Sequence, residues 1–233
     1  MSTVRSREPL TRERIVNAAI TVADAEGIAA VTMRRLGTTL DREAMALYYH
    51  IPSKDALLVA LIDDLLGRLV RESVGIDHDD WRDTVRARCL AARALMLRHP
   101  WAPGLIAAQQ ETPVAAWPVY ELLVATLTAA GFDDDLSHRA IHSLGSMLFG
   151  FTSELFQPAA TAPEPEPDAA AMRAMAEHMP NLSRMAATVA HDADGALSMC
   201  DTQAEFDFTL GLLLDGLENA RTRRVTASRP GSG

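Results

Sequence analysis

Thr11, Thr32 and Ser53 each stand directly before a run of apolar residues at helical spacing, so the first part of the chain must fold as short, separately started helices. A hydroxyl just ahead of a helix accepts a hydrogen bond from a free backbone N–H of the first turn, and each of these residues therefore marks a start. Leu10 and Ile15 flank the first cap at the spacing of a hydrophobic staple. Ile15, Ala18, Ala19, Val22 and Ala23 continue one apolar face until Gly27 stops it. Met33, Leu36 and Leu40 are the expected buried side of a second short helix. Asp41-Arg42 breaks that helix, and a third is expected over Glu43 to His50. Pro52 ends the third, because its ring removes an N–H and disfavours helical geometry at Ile51. Ser53 then opens a long fourth helix in which leucines recur from Leu57 to Leu69.

Strand signals are weak throughout: β-branched runs are short, and no Asn-Gly or Asp-Gly turn separates alternating stretches. Beyond Gly75 helices are expected over about residues 79–99, 101–110, 113–130 and 133–156. A loop rich in Pro, Ala and Glu follows at 157–169, then a Met-rich helix near 168–190 and a last helix over about 202–221. The fold class is all-α. The expected organisation is a head at 1–53, a linking helix at about 53–73, a helical body at 74–223 and a disordered tail at 224–233.

The formal net charge is −9, which argues against a nucleic-acid partner until its distribution is read. Residues 1–54 hold eight Arg/Lys against six Asp/Glu, so a mildly basic head sits on an acidic body. Lys54 is the only lysine; every other basic position is arginine. No apolar run approaches the roughly 18 residues that span a bilayer, and the first ten lack a signal-peptide core, so a cytoplasmic location is expected. Cys89 and Cys200 match no metal or redox spacing and are expected to be reduced thiols. There is no phosphate-cradling glycine loop, nucleophile elbow or spaced ligand set, so no enzymatic activity, cofactor or metal is expected.

Two short helices joined by a tight break and braced by a longer one make a helix-turn-helix, whose second helix enters the major groove of DNA. On periodicity alone an ordinary three-helix bundle without a DNA role fits equally well. Side-chain chemistry favours the first reading. The outward positions of the third helix include Tyr48 and Tyr49. A tyrosine hydroxyl can donate to phosphate, and its ring can lie on a thymine methyl. Arg34 and Arg35, in the first turn of the second helix, carry guanidinium groups suited to phosphate or a guanine edge.

The stretch from TRERIVNAAITVADAEGIAAVTMRRL to LYYHIPSKDALL resembles the DNA-binding head of TetR-type (tetracycline-repressor-like) transcriptional regulators. The T-M-R-R-L, A-M-A-L-Y-x-H and P-x-K-D-A-L-L elements stand in the order and spacing of that family, over about residues 10–60. The resemblance implies an N-terminal helix-turn-helix three-helix head followed by a helical ligand-binding and dimerisation domain. It implies Arg34 as a base reader and Thr32 as a backbone contact. Ala44, Met45, Tyr48 and Tyr49 would line the groove. His50 would pack at the helix end or touch phosphate, and Lys54 would hold a phosphate. The family usually has Gly then an aliphatic residue where this chain has Asp41-Arg42. Arg42 is open to two readings, a DNA contact peculiar to this chain or a solvated side chain.

In the body, residues 137–156 and 206–220 carry wide apolar faces with interspersed glycines, suited either to a four-helix seam between two copies or to the core of one. Leu144, Leu148, Phe206, Leu210, Leu213 and Leu217 are the candidate seam residues. Met96, His99, Trp101, Trp117, Tyr120, His142 and Phe149 are candidates for lining a mostly apolar ligand cavity, and each could equally be ordinary core. His138 and His142 have a spacing capable of sharing a metal, without a third ligand in sight. The expected function is a ligand-responsive, homodimeric repressor released from double-stranded operator DNA by a small, largely apolar effector. The alternative is a helical small-molecule-binding protein with weakened or lost DNA recognition.

Overall fold

The computed structural model describes residues 9–151, 169–189 and 202–227, and every regular element among them is helical. The chain divides into two compact units, residues 1–152 with 217–233, and residues 153–216. The described part of the first contains α1 (Arg12–Glu26), α2 (Met33–Leu40), α3 (Ala44–Tyr48) and α4 (Lys54–Val74). It continues with α5 (Trp81–Arg98), α6 (Ala102–Ala107), α7 (Trp117–Ala129) and α8 (Asp134–Gly150).

The three caps form as their chemistry requires. Thr11 Oγ1 accepts from Arg14 N at 3.2 Å, Thr32 Oγ1 from Arg35 N at 3.1 Å, and Ser53 Oγ from Ala56 N at 3.0 Å. Ile15, Leu36, Leu47, Leu57 and Leu61 are fully buried in one core, with Leu10 packed against it as the staple predicts. The same core takes in Leu95 and Trp101, so the head is continuous with the start of the body. Each fully buried Leu or Ile contributes about 1.5–3 kcal/mol of transfer free energy.

Asp41 carries the break between α2 and α3 in the left-handed conformation, at φ 52° and ψ 53°. Its backbone N–H donates to Thr38 O at 3.3 Å, and Arg42 N donates to Gly37 O at 2.9 Å. α3 is shorter than expected: it ends at Tyr48, and Tyr49 and His50 lie in the turn that follows. Pro52 keeps Ile51 out of helical geometry, and the chain leaves the helix ahead of it, with Ile51 N bonded back to Leu47 O at 2.9 Å. Pro118 has a similar effect further on. It cannot donate to Val114 O, and the stretch expected as one helix opens with a 3-10 turn, Val114–Ala116, before α7.

Arginines tie the body together by filling the carbonyl ends of helices. Arg93, 2% exposed on α5, donates to Phe151 O at 2.9 Å just past α8. Arg221 donates to Ala130 O at 2.8 Å just past α7. Both place positive charge where unpaired carbonyls and the negative helix end favour it.

The described part of the second unit holds α9 (Ala169–His178), α10 (Pro180–Val189) and the beginning of α11 (Thr202–Ala227). The Met-rich helix expected as one is therefore two. Pro180 disfavours helical geometry at Met179, and the chain breaks there. Met179 and Met185 are each 47% exposed rather than core. From Leu217 onward α11 belongs to the first unit. It runs on to Ala227 rather than stopping near Arg221, so residues 224–227 are helical and not tail. Arg224 gives the reason, reaching Asp133 at 2.6 Å and Asp135 at 2.6 Å. Most of the expected loop at 157–169, Cys200 and the final six residues lie outside the described residues.

Candidate nucleic-acid interface and effector cavity

α3 shows its two sides clearly. Leu47 is fully buried and anchors the helix, while Met45 is 70%, Tyr48 40% and Tyr49 90% exposed. Ala44 and Ala46 are half-buried, His50 is exposed, and Arg42 is half-buried with a guanidinium N–H donated to Asp41 O at 3.0 Å. Lys54 is exposed in the first turn of α4. Thr32 is also exposed, with its hydroxyl already accepting from Arg35 N.

Arg34 and Arg35 part company. Arg34 is exposed on α2. Arg35 folds back on α1: its Nη2 reaches Glu26 Oε1 at 2.6 Å, and its Nη1 donates to Thr39 Oγ1 at 3.0 Å. The hydrogen bond from Arg35 holds the Glu26 carboxyl below its ordinary range, and Glu26 in turn raises the guanidinium. Arg35 thus braces α2 against α1, a role for which adjacency in sequence gave no sign.

Behind the head, a cavity of about 640 Å³ opens between α4, α5, α7 and α8. Met96, Trp117, Tyr120, His142 and Phe149 line it, five of the seven residues expected there. His99 and Trp101 do not line it. Trp101 Nε1 donates to Asp24 Oδ1 at 2.7 Å, and His99 Nδ1 lies 2.8 Å from the same oxygen. Their polar atoms are satisfied on the last turns of α1, which turns both rings away from the cavity. Leu144 and Leu148, expected at a seam between copies, line the cavity. Phe206, Leu210 and Leu217 are buried within the chain and Leu213 is half-buried; on α11 the exposed large apolar groups are Phe208 and Leu212. His138 and His142 stack edge to face with ring centroids 4.6 Å apart, and among the described residues no third metal-ligating side chain joins them.

Sequence reading missed two lining residues on α5. Arg88 donates through Nη1 to Leu122 O and Thr126 Oγ1, both at 2.6 Å, and through Nη2 to Ile76 O at 2.9 Å. Cys89 lines the cavity too, and burial pushes its thiol up to about 12, so it stays protonated at neutral pH. Their helical register with Val85, Ala92 and Met96 was the signal that would have found them.

An outward-facing short helix on a three-helix head, joined to a helical body with a ligand-sized cavity, marks a helix-turn-helix regulator. Comparison with known proteins gives the family. Residues 15–61 match the family described as bacterial regulatory proteins, tetR family, and residues 76–221 match the tetracyclin repressor-like C-terminal domain. The chain is 31% identical over 231 residues to the HTH-type transcriptional repressor DrrR1 of Streptomyces coeruleorubidus, covering 95% of this chain and 82% of that protein. A crystal structure of a possible TetR family transcriptional regulator from Streptomyces coelicolor A3(2) superposes with a TM-score of 0.70 at 29% identity, covering 90% of this chain and 99% of that one. The structure of BioQ with its natural double-stranded DNA operator superposes with a TM-score of 0.58 at 26% identity, covering 90% and 98%. The chain belongs to the TetR family. It is a helix-turn-helix transcriptional regulator. No helix among the described residues is long and apolar enough to cross a membrane.

Proposed function

We propose that this chain represses transcription by holding operator DNA as a homodimer and lets go when a small molecule fills the cavity. The observation that carries the reading is α3, where a fully buried Leu47 fixes a helix whose Met45 and Tyr48 face solvent, with Tyr49 exposed in the turn just after it. Large apolar side chains this exposed on a five-residue helix suit a surface that is covered in use. Tyr48, Tyr49, Met45 and Ala44 meet base edges and thymine methyls, and Arg34 reaches a guanine or phosphate. Lys54 and His50 hold phosphate, with Lys54 adding its charge to the positive end of α4. Arg42 flanks the groove, Thr32 approaches the backbone, and Arg35 positions α2 through Glu26.

Two copies pair, and Phe208 and Leu212 of α11 supply exposed apolar surface for it. Pairing places two heads on half-sites about one helical turn of DNA apart. Effector and DNA favour different separations of the heads, so each weakens the other. Couplings of this kind run to about 1–3 kcal/mol, roughly 5–150-fold in affinity.

The test is a gel-shift titration against the intergenic DNA beside the coding gene, over a range of salt. Specific, salt-sensitive retardation is expected. Tyr48→Ala should cost about 1–3 kcal/mol and relax sequence preference, whereas Lys54→Ala should weaken binding on all sequences and reduce the salt slope by about one. Binding that is absent, or identical in both variants, overturns the reading.

A further inference from the structure

We propose that the cavity selects an acidic, ring-bearing ligand, a flat apolar skeleton carrying one carboxylate or sulfonate-type group, and that Arg88 is the residue that selects the anion. This rests on the reading of the cavity as the effector site and adds the chemistry of the effector. Arg88 stands in the wall as a guanidinium with only neutral partners: two carbonyl oxygens and one hydroxyl. Among the described residues it makes no ion pair, and its Nε is buried without a hydrogen-bond partner. Burial lowers its pKa from the ordinary arginine value, consistent with a partly desolvated charge, with Asp77 offsetting that in part. An arginine does not shed its proton under these conditions, so the charge persists and its field reaches into the cavity.

The rest of the wall works in the same direction. The chain carries 31 Asp and Glu, yet none stands among the described residues that line the cavity. Its other polar groups, the His138–His142 pair and the Tyr120 hydroxyl among them, are hydrogen-bond donors or can become so. An amine or quaternary ammonium would meet a like charge there and no described carboxylate in the wall, while an anion would meet a cation that Asp77 compensates only in part, behind an apolar lining that screens it little. Ring contacts fix the shape. Trp117 and Tyr120 pack edge to face with centroids 6.1 Å apart, and Phe149 and the paired histidines line another wall, which suits stacked aromatic surfaces. A volume of about 640 Å³ is enough for such a molecule.

The experiment compares two dyes of one skeleton in fluorescence titrations of the full-length protein. They are 8-anilinonaphthalene-1-sulfonate and its uncharged counterpart N-phenyl-1-naphthylamine. The sulfonate is expected to bind about tenfold tighter, the differential that one charge-assisted contact supplies, and each dye should displace the other. Arg88→Met should abolish that preference while leaving the neutral dye bound, and Arg88→Lys should keep most of it. Because Arg88 also ties α5 to α7, Ser146→Asp provides a second route that leaves the tie intact. It places a carboxylate in the wall and should also abolish the preference. Equal affinity for the two dyes in the unaltered protein overturns the proposal and leaves the cavity reading standing. A sulfonate preference that survives both Arg88→Met and Ser146→Asp overturns it as well, since the dye then binds elsewhere. If neither dye binds, the proposal and the effector reading fall together. Operator binding is measured without dye, so a failure there is separate from all of these outcomes.

Discussion

Gly37 and Asp41 set the angle between α2 and α3 by different means. A Cβ on Gly37 would lie 2.8 Å from the Arg42 carbonyl oxygen and 3.3 Å from Ala44 N, both backbone atoms with no room to move. Asp41 instead adopts the left-handed conformation that the turn needs, which Asp tolerates better than most residues other than Gly and Asn. Gly37→Ala should therefore destabilise the protein by about 1–3 kcal/mol. Gly67→Ala, on α4 with only the end of the Arg71 side chain nearby at 3.4 Å, should stabilise it by about 0.5–1 kcal/mol. Urea titrations of the two variants give shifts of opposite sign if the close approach at Gly37 is real. The contrast also shows what single residues reveal before folding. Asp41 was legible as the site of the break, because a departure from the usual turn residue is visible in sequence. Gly37 was not, because its constraint comes from a carbonyl that only the folded turn brings across from it. Arg34 and Arg35 teach the same lesson: one residue apart, about 100° around the helix, they face solvent and Glu26 respectively.

Helices with a hydroxyl or carboxylate cap were legible, and their starts held because the cap side chain bonds its own first turn; the end of α8 did not, since that helix stops at Gly150 rather than 156. Thr11, Thr32, Ser53, Asp80 and Asp133 all do so. Boundaries set by distant contacts were not legible. α11 continues past Arg221 because Arg224 bonds to the acids at the start of α8, 89 and 91 residues earlier. This attachment responds to acid. Hydrogen bonds from Arg139 and Arg224 lower the Asp135 carboxyl to about 2, and Arg224, with the backbone N–H of Leu136, lowers Asp133 as well. Carboxyls held below their unfolded value contribute stability that is present above about pH 4 and lost as pH falls toward 2. Arg224→Ala should lower thermal stability at neutral pH and flatten its decline between about pH 4 and 2. Both acids are exposed, so the change is small and best read as a difference in melting temperature at matched salt. A decline unchanged in the variant would mean that the attachment is not maintained in solution.

At the scale of the molecule, head and cavity share a helix and a hydrogen-bonded contact. Leu66 and Leu69 of α4 line the cavity from the same helix that begins at Lys54. Ile106 of α6 also lines it, a few residues past the Trp101 and His99 that grip Asp24 on α1. A ligand that displaces α6 has a direct mechanical hold on the head. Asp24→Ala removes the shared acceptor and leaves two part-buried ring N–H groups short of a partner. It should cost about 1–3 kcal/mol in stability. It should also cut the ligand's effect on DNA affinity by about 0.5–2 kcal/mol, read as the ratio of DNA dissociation constants with and without a cavity-binding dye. An unchanged ratio would remove Asp24 from the coupling. The head was legible in sequence down to its outward tyrosines because local caps and a short hydrophobic repeat fix it. Helical register, by contrast, does not say which of two neighbouring helices a ring will face. That is why Met96 fell on the cavity while His99 and Trp101, in the turn just after α5, were captured by α1.

The solitary lysine has a further meaning for the chain as a chemical object. Its side chain is the protein's single ε-amine, exposed in the first turn of α4. A reagent that couples to amines therefore has one side-chain target, and a label placed there reports on the start of α4, the helix end proposed above to hold phosphate. A lysine-specific endoprotease likewise has one peptide bond to cut, between Lys54 and Asp55, at the join of head and body.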